Sequence, residues 1–340
     1  MIKDAIGKIV AGMDLSEKEM IGVMNLIMTG EATEAQIGAF ITALRLKGET
    51  IDEITGAARV MREKAIKIDA VADGEILVDT CGTGGDSSST FNVSTTASFV
   101  VAGAGLPVAK HGNRSISSKC GSADVLEALG VDLNLSPGRI GRCIRDVGIG
   151  FMFAPMLHSA MKYAIGPRRE IGIRTIFNVL GPLTNPAGAN VQVLGVYDPD
   201  LTGKLAGVLG RLGTKRALVV CGAGNMDEIT VTGETLIADV VDGLVSTYSV
   251  KPGDVGLSEA SLSDIAGGET VDASAEQLKS VLHGEDGPRL DMVLMNAGAA
   301  IMAAGKAADL KAGVKMSREI VKSGAAMKKL DALVAYCKNG

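Results

Sequence analysis

The stretch Asp79-Thr-Cys-Gly-Thr-Gly-Gly-Asp86, with Thr90-Phe-Asn-Val-Ser-Thr95 shortly after it, decides how the chain is read. Three glycines in four positions, between an apolar run and a Ser/Thr/Asn cluster, have the form of a strand ending in a phosphate-binding loop. Glycine lets backbone N–H groups come close to an anion, because no side chain intervenes and positive φ costs little. The hydroxyls and amide that follow sit where a helix would begin, and a helix N-terminus favours negative charge. A plain tight turn between strand and helix would leave the same glycine pattern.

The next phrase, Lys110-His-Gly-Asn-Arg-Ser-Ile-Ser-Ser-Lys-Cys-Gly-Ser-Ala-Asp124, separates these readings. Before it, residues 100–109 read as a helix end, a turn and a short buried strand, so the cationic segment starts where a strand ends. In open parallel sheets that edge is where ligands bind. A solvated basic loop is the ordinary alternative. Here Lys, Arg and Ser are interleaved with glycine and not grouped, and both segments together point to an anionic ligand.

Working outward, residues 1 to about 70 read as helical. Capping-box patterns run from Ser16 to Glu19, Thr33 to Gln36 and Thr50 to Glu53. Apolar residues follow at helical spacing: Met20, Met24, Ile27 and Met28; Ile37, Phe40, Ile41 and Leu44; Ile54, Ala58 and Met61. The methionine stripe reads as core, and Gly30 and Gly48 punctuate the ends. From Ile76 onward, strand-like runs alternate with helical patterns. Residues 76–79, 191–197 and 217–221 read as buried strands, and residues 201–212 as the helix of a β-α-β unit. Residues 291–295 read as a strand before an alanine-rich helix, and residues 236–276 as edge strands and loops.

Composition narrows the function. The net charge of −5 over 340 residues argues against non-specific nucleic-acid binding, whereas Lys110, Arg114 and Lys119 form a local attraction for a compact polyanion. The five cysteines (Cys81, Cys120, Cys143, Cys221, Cys337) and the histidines His111, His158 and His283 show no metal-ligand spacing. Dispersed thiols fit a reducing cytoplasm, with Cys81 and Cys120 as small buried fillers. The start lacks a signal-like apolar stretch, and no apolar run is long enough to span a bilayer. A cytoplasmic location without membrane or nucleic-acid partners is the expectation.

The two ligand segments, with Asn178-Val-Leu-Gly-Pro-Leu-Thr-Asn-Pro186, Met226-Asp-Glu-Ile229 and Met295-Asn-Ala-Gly-Ala-Ala300, resemble the anthranilate phosphoribosyltransferases over nearly the whole chain. The resemblance implies an α/β fold of the nucleoside phosphorylase/phosphoribosyltransferase kind. A small helical domain (1–70) would help form a homodimer interface, joined by helices near 160–185. A large α/β domain (71–340) with a mainly parallel sheet would carry catalysis. It also implies transfer of the phosphoribosyl group of 5-phosphoribosyl diphosphate to the amine of anthranilate, with Mg²⁺, in tryptophan biosynthesis.

On this resemblance Gly82, Gly85, Asp86, Thr90, Asn92, Val93, Ser94, Thr95, Lys110, Ser118 and Ser122 hold phosphoribosyl diphosphate. Ser122 also fits a helix N-cap before residues 125–129. Arg168 would meet the anthranilate carboxylate, where a guanidinium fork fits bidentately. Gly82 and Asn113 would also contact anthranilate, with His111 and His158 as pocket walls. The adjacent carboxylates Asp227 and Glu228, with the Ser94 hydroxyl, would hold Mg²⁺, a hard cation that bridges substrate phosphates. Read without the resemblance, Asp227 caps a short element and Glu228 is solvated. Cys221 and Met226 stand where the family often has His and Leu, both away from the acidic oxygens.

The chemistry asks for no dedicated acid or base. Diphosphate leaves the anomeric carbon through an oxocarbenium-like state, and the aromatic amine is already neutral. Positioning and charge stabilisation carry the reaction. A pyrimidine nucleoside phosphorylase is the rival reading, since it makes the same bond change with phosphate as nucleophile. A non-catalytic nucleic-acid-binding relative is a more distant one.

Overall fold

The computed structural model describes residues 1–86, 90–115 and 120–338. The chain opens with helices α1 (Ile2–Val10), α2 (Glu17–Thr29), α3 (Glu34–Lys47) and α4 (Ile51–Lys64). All three predicted capping boxes form: the Ser16, Thr33 and Thr50 hydroxyls accept from the N–H groups of Glu19, Gln36 and Glu53. Each such cap stabilises its helix by roughly 1 kcal/mol. The apolar residues predicted to line these helices are all buried, and Gly30 closes α2 in the left-handed conformation.

A seven-stranded sheet follows, ordered β3-β2-β1-β4-β5-β6-β7. Strands β1 (Val78–Gly82), β2 (Val108–Gly112), β3 (Ile149–Phe153), β4 (Val191–Gly195) and β5 (Arg216–Gly222) run parallel. The hairpin of β6 (Thr235–Val241) and β7 (Leu244–Val250) completes one edge antiparallel. Helix α5 (Val93–Gly103) joins β1 to β2; α6 (Ser122–Ala128) and α7 (Pro137–Val147) join β2 to β3. Between β3 and β4 come the short α8 (Ala154–Leu157), then α9 (Lys162–Ile171) and α10 (Phe177–Leu180), and α11 (Asp200–Arg211) joins β4 to β5. Helices α12 (Val271–His283), α13 (Pro288–Ala303), α14 (Leu310–Lys322) and α15 (Ala325–Lys338) close the chain.

Period-2 alternation splits the core into two layers. Val78, Val108, Val191, Val193, Leu218 and Val220 face α5 and the C-terminal helices. Cys81, Leu194, Val219 and Ala238 face the other way, into one apolar cluster with α1–α4 and α11. The N-terminal helices therefore share a core with the sheet.

The predicted strand at residues 291–295 is not one: Pro288 to Ala303 is a single buried helix. Nearly every residue of that helix is buried, so the sequence carries no amphipathic stripe to tell helix from strand. The first strand also begins later than expected, at Val78, and runs into the glycine loop as far as Gly82.

Candidate active site

The glycine loop leaves the C-terminal end of β1 beside that of β4, where Gly82 pairs with Gly195. The 226–228 segment crosses both ends. A Cβ on Gly82 would collide with the Asp227 carboxylate, and one on Gly195 with the Asp227 backbone. Glycine is needed at both places because chain from beyond β5 lies directly on the strand ends. Gly84 and Gly85 follow with φ of 69° and 76°. The Gly84 N–H donates to Asp227 Oδ2 at 2.7 Å.

Lys110 lies within β2 and is 3 % exposed, with Nζ donating to the Thr80 carbonyl at 2.5 Å. Thr80 in turn donates from Oγ1 to the Ser94 carbonyl, at 2.9 Å. Ser94 lies in the first turn of α5, for which Asn92 is the N-cap residue, and the Asn92 amide donates to the Cys120 carbonyl at 3.1 Å. Val93 and Thr95 are buried, and Ser94 is half-buried. Thr90 bridges to Ala266 and begins the approach to this helix.

Asp227 and Glu228 are half-buried by exposure but closely surrounded. Desolvation first, then the neighbouring Asp86, pushes the Asp227 carboxyl up to about 7. Glu228 is driven well above the usual carboxylate range by desolvation and by Asp227. Lys110, and a hydrogen bond from the Ser94 N–H, act in the opposite sense. Among the described residues no three His, Cys, Asp or Glu side chains are grouped to cage a metal ion. A Mg²⁺ site does not require that, since this ion keeps several waters and takes substrate phosphate oxygens beside one or two carboxylates. Crowded carboxylates, hard oxygen donors raised first by desolvation and then by one another, fit such an ion.

The next residue along β2 turns to the other face of the sheet. His111 and His158 are both buried, their ring centroids 5.1 Å apart. Desolvation, then His158 and Lys110, lower His111 to about 3, while a hydrogen bond to the Gly181 backbone opposes this. Desolvation and Lys67 lower His158 to about 4. Both imidazoles are neutral near pH 7, and neither Nε2 has a partner among the described residues. The His111 N–H of the backbone donates to the buried Asp79 carboxylate, which also accepts from the Asn185 amide at 2.8 Å. On α9, Arg168 stands 5.2 Å over the Phe177 ring, and burial lowers its pKa. Asn113 is exposed, its Oδ1 accepting from the Arg114 N–H.

Three expectations change. Arg114 is no free attraction for an anion: its guanidinium pairs with Asp124 and Glu127, at 2.9 and 2.8 Å. Ser122 is not an N-cap but the first residue of α6. Gly121 precedes it, with its N–H bonded to the Asp124 carboxylate, and the Ser122 hydroxyl donates to the Asn113 carbonyl. Lys110 is part of its strand and does not open a loop. Ser118 and Lys119 lie outside the described residues.

The sequence does not single out Arg174, yet this residue meets the glycine loop, donating from Nη2 to the Gly85 carbonyl. Its only sequence signal is a third arginine shortly after Arg168 and Arg169. A cleft of about 550 Å³ lies at the opposite ends of the strands, against Glu75, Leu106, Gly148 and Lys329. There Lys329 and Arg145 are bonded to the backbone carbonyls of Val147 and Asp69. It gathers no converging polar groups and is not the site.

The chain is similar to known proteins along its length. Residues 74–327 match the a/b domain of a glycosyl transferase family, and residues 3–65 its helical bundle domain. An anthranilate phosphoribosyltransferase of Desulfotalea psychrophila is 61 % identical, over 98 % of this chain and 97 % of that one. The crystal structure of an anthranilate phosphoribosyltransferase from Thermus thermophilus is 43 % identical, with a TM-score of 0.93, covering 98 % and 99 %. One from Saccharomyces cerevisiae, in complex with PRPP and Mg, is 27 % identical with a TM-score of 0.89, covering 100 % and 98 %.

Proposed function

The chain belongs to the anthranilate phosphoribosyltransferase family, and from that premise we propose how its residues divide the transfer of a phosphoribosyl group from PRPP to the amine of anthranilate. One observation carries the division: Lys110 and His111, adjacent on β2, serve opposite faces of the sheet.

On the Lys110 face lies the donor half. Gly82, Gly85 and Asp86 of the loop, with Thr90, Asn92, Val93, Ser94 and Thr95 at the start of α5, surround the diphosphate. Ser118 and Ser122 extend this set. Lys110 supplies buried positive charge, and the α5 N-terminus adds its partial charge. Asp227, Glu228 and the Ser94 hydroxyl would hold Mg²⁺, which would supply counter-charge for the departing diphosphate. The yeast relative's complex with PRPP and Mg supports this assignment.

On the His111 face lies the acceptor half. Arg168 fixes the anthranilate carboxylate; Asn113 and Gly82 border it, and His111 and His158 form a wall. With its other nitrogen donating to Gly181, neutral His111 offers the Nε2 lone pair to an N–H of the arylamine, orienting the nitrogen toward the anomeric carbon. The C–O bond to diphosphate breaks with its electron pair as the C–N bond forms, and the amine proton then leaves to water.

Exposed Val10, Met13, Leu46, Tyr163, Ile165 and Ile173, in the N-terminal helical region and around α9, support a homodimer through this region. The cytoplasm fits the substrates, and no helix among the described residues is long and apolar enough to cross a membrane.

The test of the reaction follows anthranilate fluorescence as PRPP is added with Mg²⁺ and then with EDTA. Decay that EDTA stops is the expected result. A decay indifferent to EDTA would remove the metal assignment. No decay, with thymidine and phosphate consumed instead, would return the phosphorylase reading. Leu46→Glu should shift the protein to monomer in light scattering; an unchanged mass would exclude that face from the dimer.

A further inference from the structure

Arg174 belongs to none of the residue sets above. It lies in an exposed segment between α9 and α10, and its guanidinium carbon is 4.3 Å from the centroid of the Tyr197 ring. Tyr197 follows β4 and is 9 % exposed, packed into the apolar cluster that joins the sheet to the N-terminal helices. The arginine is thus braced on an anchored ring. From there its Nη2 donates to the Gly85 carbonyl, and a Cβ on Gly85 would stand 3.4 Å from the same atom.

The glycine loop is therefore gripped on two sides. The Gly84 N–H is directed at the Asp227 carboxylate, and the Gly85 carbonyl at the Arg174 guanidinium. An anion-binding loop needs this polarity. N–H groups must converge on the phosphate, while each carbonyl must turn away and find a donor of its own. Two consecutive positive-φ glycines can adopt many other conformations, so something outside the loop has to select this one.

We propose that Arg174, braced by Tyr197, is a positioning residue for the diphosphate of PRPP. It holds the Gly85 carbonyl outside the loop, so that the loop presents N–H groups to the anion, and it adds positive charge behind them. This rests on the assignment of the glycine loop to the diphosphate. Lysine does not replace it, since an ammonium lacks the planar fork and stacks less well on a ring.

The test uses the full chain and the variants Arg174→Ala, Arg174→Lys, Tyr197→Leu and the Arg174→Ala/Tyr197→Leu pair. Lys110→Ala controls for the site and Arg169→Ala for a neighbouring exposed arginine. KM is measured for each substrate, binding of inorganic diphosphate with Mg²⁺ by calorimetry, and unfolding by thermal melt. Arg174→Ala should raise the KM for PRPP and weaken diphosphate binding about 10-fold, with the KM for anthranilate and the melt nearly unchanged. Arg174→Lys should recover less than half of that loss, and Arg169→Ala should match the parent. The paired variant should be no worse than Arg174→Ala alone, because the ring acts through the arginine. Unaltered PRPP and diphosphate binding in Arg174→Ala, with Lys110→Ala impaired, would overturn the proposal and leave the loop assignment standing. If Lys110→Ala were also silent, the loop assignment would fall first. Equal losses for both substrates with a lowered melt would make Arg174 merely structural and also overturn the proposal.

Discussion

The two proposed halves of the site are built from different materials. The donor half is mostly backbone and charge: a glycine loop, a helix start, a buried lysine and a pair of carboxylates laid over the strand ends. The acceptor half is mostly side chains, with two buried neutral imidazoles, one from β2 and one from the end of α8, and one arginine held over a phenyl ring. A polyanion can be gripped by N–H groups that any residue supplies, provided the chain can come close enough. A small aromatic acid must be recognised by shape, dryness and one well-aimed cation. The donor half should therefore be sensitive to charge and to any added Cβ, and the acceptor half to pocket volume and to Arg168.

The largest effect expected is on the carboxylates. Asp227→Asn should cut turnover at moderate Mg²⁺ by about 100-fold or more, since charge on the leaving group loses its counterion. In the parent, the Mg²⁺ concentration needed for half-maximal rate should climb as pH falls below about 7, where Asp227 takes up a proton. A variant retaining full activity and Mg²⁺ dependence would break the donor half as drawn here.

Next comes Lys110→Ala. It removes a charge-assisted contact worth about 1.5–3 kcal/mol, so PRPP binding should weaken roughly 10- to 100-fold, and the melt should fall as the buried Thr80 carbonyl loses its donor. Arg168→Ala should raise the KM for anthranilate by roughly 10-fold and spare the KM for PRPP. Equal losses for both substrates in either variant would dissolve the boundary between the halves.

A last effect concerns stability and its dependence on pH. Folded His111 stays neutral down to about pH 3, whereas in the unfolded chain it protonates near 6.5. As pH falls through that window the unfolded state takes up the proton first, so stability present above 6.5 is progressively lost. His111→Asn should make the melting temperature less steep between about pH 7 and pH 4. An identical slope would mean that the imidazole is not held neutral by its surroundings.

How much of this is legible in the sequence follows from the range of each interaction. The capping boxes of the N-terminal helices span three residues, and their chemistry is complete within the sequence window. The glycine loop and the phrase after Lys110 announce themselves because a tight approach to an anion needs particular residues in a row. Arg114 reads as a free cation because its partners Asp124 and Glu127 lie ten and thirteen residues on, beyond the reach of a local pattern. Ser122 reads as a cap because its residue type suits one, while the carboxylate that binds the preceding N–H belongs to Asp124. The helix α13 lacks a polar face to betray its period. Arg174 reaches Gly85 across 89 positions, a contact that exists only once the sheet has formed.

The alternation of β2 has a consequence for how such an enzyme can change its trade. On the proposed assignment, neighbouring residues on that strand answer to different reactants, and the strand works as a partition wall. The room on the His111 side can be refurnished for another nucleophile without disturbing the machinery that activates the sugar. A lineage, or an engineer, seeking a new amine acceptor would vary His111, His158 and the bearing of Arg168, and leave Lys110 and the glycine loop as inherited.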